Sequence, residues 1–90
     1  MAEVTLSHIV SLLLEKKRDE AHSRLLDFLR SHPDDAEGWL MLGNLYRSHH
    51  MWREAIDAYN HAKLLNPAGP ADASIEGILE ILHSLPGESY

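Results

Sequence analysis

Apolar positions recur along the chain at helical spacing, in blocks set off by breakers at Pro33, at Pro67-Ala68-Gly69-Pro70 and at Pro86-Gly87. In the middle block Trp39, Leu42, Gly43 and Tyr46 follow one another on one helical face. After a short polar break at Ser48-His49-His50, Ala55, Ile56, Tyr59 and Ala62 do the same. This pattern predicts a helical hairpin. Its first helix starts near Asp34 or Asp35, either of which can cap free amides, and ends near Ser48. Its second runs from about Met51 to Leu65, because the residue before Pro67 disfavours helix. The first block predicts a similar pair, Glu3 to about Glu15 and Lys17 to Arg30, closed by His32-Pro33. In the last block Ile75, Ile78, Leu79 and Leu82 share a face, predicting a single helix over Ala71 to Ser84. The expectation is five helices and no strand.

The blocks repeat. A shift of 34 residues carries Ala2 onto Ala36, Leu6 onto Leu40, Glu20 onto Glu54, Ala21 onto Ala55, Pro33 onto Pro67, Gly43 onto Gly77 and Leu45 onto Leu79. The chain therefore reads as one domain, 1–90: an atypical first repeat over 2–35, a second over 36–69, a terminal capping helix over 70–84 and a tail over 85–90.

Trp39-x2-Leu42-Gly43-x2-Tyr46, then Ala55-x3-Tyr59, Ala62 and Pro67, resembles the signature of the tetratricopeptide repeat, with Tyr59 where the pattern has phenylalanine. The residues also make mechanical sense. Gly43 and Ala55 are small where two helices cross, the large residues fill the space around the crossing, and Pro67 ends the hairpin. The first repeat keeps Ala21 and Pro33 but places Thr5, His8, Ile9 and Leu12 at the positions of Trp39, Leu42, Gly43 and Tyr46; Ile9 in place of a glycine sets a question about how that hairpin packs.

The resemblance implies an all-α right-handed superhelix of antiparallel hairpins. Its concave face, lined by the first helix of each repeat, would hold a peptide or a partner helix, as an adaptor or scaffold does. Carried over by the same shift, that face comprises Leu6, Val10 and Leu13, then Leu40, Asn44 and Arg47, then Ser74, Ile78 and Ile81. It is more apolar than the family members that grip a C-terminal carboxylate with Lys and Asn require, since Leu6, Val10 and Leu40 stand where such groups would be needed. An apolar groove on a short array leaves three outcomes open: a partner helix fills it, a second copy of the chain fills it as a homodimer, or the array closes on itself.

Ninety residues with 44% hydrophobic and 24% charged side chains have the balance of one small folded domain. A net charge of −6 argues against nucleic-acid binding, and the longest basic run, Lys16-Lys17-Arg18, meets Asp19-Glu20 at once. With no cysteine, disulfides and thiolate chemistry are excluded. The N-terminal stretch lacks a basic leader and a cleavage site, and Ile9 to Leu14 is too short to span a bilayer, so no membrane is expected and the default location is cytoplasmic.

Seven histidines raise the question of metal. His49, His50 and His61 lack the i, i+3 or i, i+4 placement that a helical site needs, and Asp57 with His61 is more simply a surface polar pair. Ser11 and Ser23 near His8 and His22 make no triad, and no phosphate loop or paired buried carboxylate is present. The expectation is a non-enzymatic protein-binding module with no cofactor.

Overall fold

The structure, a computed structural model, describes residues 5–84 and is all-helical over them. The elements are α1 (Leu6–Leu14), α2 (Arg18–Ser31), α3 (Ala36–Ser48), α4 (Trp52–Leu65) and α5 (Ala71–Ser84). Five helices were expected, and the bounds differ from the expected ones by no more than a residue or two except at Glu3, which lies outside the described residues.

Local chemistry sets each boundary. Thr5 accepts a hydrogen bond from the His8 amide at 3.3 Å, and Asp35 accepts from the Gly38 amide at 3.0 Å, so Asp35 rather than Asp34 caps α3. The helices α1 and α3 end in the same way. Lys16 and His50 adopt left-handed φ values of 61° and 60°. The Lys17 amide then donates to the Leu12 carbonyl and Lys16 to Leu13; one repeat on, Met51 donates to Tyr46 and His50 to Arg47. Both are Schellman turns, and each lets the next helix double back after a few residues. At the other ends of the hairpins His32 donates to the Phe28 carbonyl and Asn66 to Ala62, each just before a proline. The turns and the proline-flanked ends recur 34 residues on, whereas the caps Thr5 and Asp35 lie 30 residues apart.

Each helix packs on its neighbours in sequence, in a body of 52 × 28 × 17 Å. The core falls into two clusters. One holds Ile9, Leu12, Ala21, Leu25, Phe28, Leu29, Leu42 and Ala58; the other holds Ala55, Tyr59, Ala62, Ala71 and Ile78. Trp39 and Tyr46 of α3 touch both and join them. Trp39 is fixed from three sides: it packs in the core, its Nε1 donates to the Pro33 carbonyl at 2.8 Å, and His61 stacks on its ring at a centroid distance of 4.1 Å.

At two positions α5 departs from the repeat, and Leu79, expected on its apolar face, is one of them. Leu79 is 51% exposed although the repeat places it at the position of Leu45, which is buried. Gly77, the counterpart of Gly43, has nothing within 4 Å of an added Cβ. The reason lies in composition. Where α3 presents Leu42 and Tyr46 to α4, α5 presents Glu76 and Glu80, both exposed, so this face of α5 is built for water.

Candidate functional site: two clefts beside α3

Two clefts flank the first half of α3. The first, of about 320 Å³, is lined by Leu6, Ser7 and Val10 of α1 with Glu37 and Met41 of α3. The second, of about 360 Å³, is lined by Ala36, Glu37 and Leu40 of α3, Ala62 and Asn66 of α4, and Gly69, Pro70 and Ala71 leading into α5. Glu37 belongs to both, which makes them a single surface.

Three of the nine residues expected there line the clefts, Leu6 and Val10 the first and Leu40 the second. Asn44, Arg47 and Ser74 line neither and gather around the hydroxyl of Tyr59. That hydroxyl donates to Oδ1 of Asn44 at 2.5 Å, and hydrogen bonds with Arg47 and Ser74 also reach it. Tyr59 is fully buried, its ring beneath Gly43, and its hydroxyl is satisfied within the fold. Burial raises its pKa above the ordinary 10.0; the positive charge of Arg47 and the hydrogen bonds from Arg47 and Ser74 pull in the opposite sense without overcoming it.

The other three sit differently. Leu13 and Ile81 are half-buried, Leu13 against the first core cluster. Ile78 offers no surface: it is 0% exposed and is a member of the second cluster, because α5 leans that side chain onto α4. Ile78 therefore leaves the groove set and joins the core. Glu37 and Met41 were missed. Both are within a turn of Leu40, so widening the face to its i−3 and i+1 neighbours would have found them.

Four of the seven histidines are aromatic partners. His22 meets Tyr46 edge-on, with Nε2 3.3 Å from the hydroxyl, His32 stacks on Phe28, His50 leans on Trp52 and His61 covers Trp39. His61 thus has Trp39, rather than Asp57, as its ring partner. Among the described residues no three His, Asp or Glu side chains converge as a metal site would require, and no helix is long and apolar enough to cross a membrane.

No protein-family model matches the chain, and no curated protein matches it either.

Proposed function

We propose that this chain is a tetratricopeptide-type interaction module: a short right-handed superhelix that binds another polypeptide along the face of α1, α3 and α5 and catalyses no reaction. The observation that carries this reading is the continuity of the two clefts through Glu37, which offers an elongated surface instead of an enclosed pocket. An elongated site suits a helix or an extended peptide better than a small molecule, which binds where most of its own surface is enclosed. Support for the family comes from the signature residues, each with a mechanical task, and from hairpin turns that recur every 34 residues. Rigid hairpins present the surface ready formed, so little ordering entropy opposes association.

The chemistry of the face sets the occupant. Its α1 end is apolar, Asn44, Arg47 and Ser74 offer hydrogen bonds and one positive charge, and Glu37 adds one negative charge. An amphipathic helix with a mixed polar flank meets all three. The test is capture of partners on the immobilised chain, with Leu40→Asp as the disrupted face and Met51→Asp as a control elsewhere. Binding should be lost in Leu40→Asp while its helical circular dichroism is kept. Equal loss in both variants, or none in Leu40→Asp, refutes the reading.

A second reading, a self-associating module, is favoured by one particular observation on α1.

A further inference from the structure

Helix α1 is the only one of the five without a charged side chain: Leu6–Leu14 reads LSHIVSLLL. It buries Ile9 and Leu12 in the core, packs Leu6 and Leu13 partly against the same cluster and leaves Val10 and Leu14 exposed. At 3.6 residues per turn Leu13, Leu6, Val10 and Leu14 fall within about 100° of arc, on a flank that begins beside Ile9 and turns away from the core toward Leu14. Val10 is 40% exposed and Leu14 80%.

We propose that α1 pairs with α1 of a second copy of this chain, antiparallel and about a two-fold axis at Val10. The proposal rests on reading the odd-helix face as an interaction surface, and it names the occupant of the first cleft.

Three features select a second copy. The first is shape. A two-fold axis at Val10 sets position i of one copy against position 20 − i of the other, so Leu14 of one lies over Leu6 of its partner. Leu6, Ser7 and Val10 line a cleft, while Leu14 is the most prominent apolar side chain of the helix. Projection and recess are eight positions apart on one helix, about 12 Å, and the antiparallel register fits each into the other twice.

The second is charge. Two copies each carry −6 and repel at most approaches, and α1 is the helix along which they meet without opposing like charges. The third is the end of the helix. Glu15, Lys16 and Lys17 follow Leu14 and carry a net charge of +1, Lys17 pairing with Glu15 at 3.2 Å, so the register that seats Leu14 in the cleft brings the Lys16 charge toward Glu37, which lines it. That contact is attractive and occurs at both ends of the pair.

The experiment is molar mass by sedimentation equilibrium from micromolar to millimolar chain. The mass is expected to rise from 10.2 kDa toward twice that value. Leu14→Asp should hold it at the single-chain mass with unchanged circular dichroism, since Leu14 lies outside the core. Leu14→Lys, whose charge suits a helix C-terminus, should do the same and so separates lost pairing from a weakened helix end. The chain has no cysteine, so Val10→Cys can be joined by a short bismaleimide and should give covalent dimer, while Leu64→Cys on α4 should not.

A constant 10.2 kDa at every concentration overturns the pairing. A dimer indifferent to Leu14→Asp and Leu14→Lys, or one cross-linked through Leu64→Cys in place of Val10→Cys, overturns it equally. A lasting monomer that still captures a partner through the face tested by Leu40→Asp overturns self-pairing and leaves the interaction module standing.

Discussion

A methyl group on Gly43 would stand 2.5 Å from Cδ1 and 2.6 Å from Cε1 of Tyr59, whose ring is fully buried and cannot swing aside. The first repeat answers the question set by Ile9 with the reverse combination: Ile9 takes the glycine position and Leu25 the tyrosine position, both 0% exposed in one cluster. Bulk moves from one helix to the other, which cores tolerate when total volume is kept. Gly43→Ala should therefore destabilise by about 1–3 kcal/mol despite alanine's better helix propensity. Gly43→Ile with Tyr59→Leu should cost less than the two single changes summed, a coupling that a double-mutant cycle in urea would read. Additive costs would remove the matched-pair explanation. Gly77→Ala, with open space around it, should stabilise by about 1 kcal/mol. The Tyr59 hydroxyl gives a pH prediction. Its folded pKa lies above the 10.0 of the unfolded chain, so its contribution is intact below pH 10 and falls as pH rises from there through the folded value, because the unfolded state releases the proton first. Urea midpoints at pH 8 and 11 should differ less in Tyr59→Phe than in the parent chain.

At the level of helices and turns, the breaks at Pro33 and Pro67 were legible because proline removes a donor and constrains its predecessor. The turns after α1 and α3 were located without their mechanism. A Schellman turn needs a left-handed residue, usually glycine, yet Lys16 and His50 fill the position, so the sequence carries no glycine to mark it. A side chain there costs ~1–2 kcal/mol, and glycine gives back part of that gain through its unfolded-state freedom. Lys16→Gly and His50→Gly should each raise stability by about 0.5–1 kcal/mol in urea titration, whereas His50→Val should lower it. Should His50→Gly prove destabilising, the ring contact of His50 with Trp52, at 5.3 Å between centroids, matters more than the turn.

Over the whole molecule, helical spacing and breakers carried the helix count, and the period of 34 carried the matching turns and placed Leu6, Val10 and Leu40 at the clefts, because a repeat transfers position from one unit to the next. It misplaced Ile78 and Leu79 for one reason. Position transfers only as far as neighbours do, and α5 packs on α4 without a following helix against its Glu76 and Glu80 side among the described residues. The same one-dimensional arrangement governs stability, since each helix is held chiefly by the helices next to it. Among the residues of α1 only Ile9 and Leu12 are buried, and of α5 only Ala71 and Ile78, whereas α3 shares Trp39 and Tyr46 with both clusters and α4 buries Ala55, Ala58, Tyr59 and Ala62. Opening an end helix breaks one set of contacts, and opening α3 breaks both clusters. Amide hydrogen exchange should therefore proceed inward: α1 and α5 first, through local openings of low free energy, and the α3–α4 hairpin last, near the global value. Raising the chain concentration should slow α1 selectively if it is covered by its own copy, and uniform protection from α1 to α5 would mean that the two clusters unfold as one.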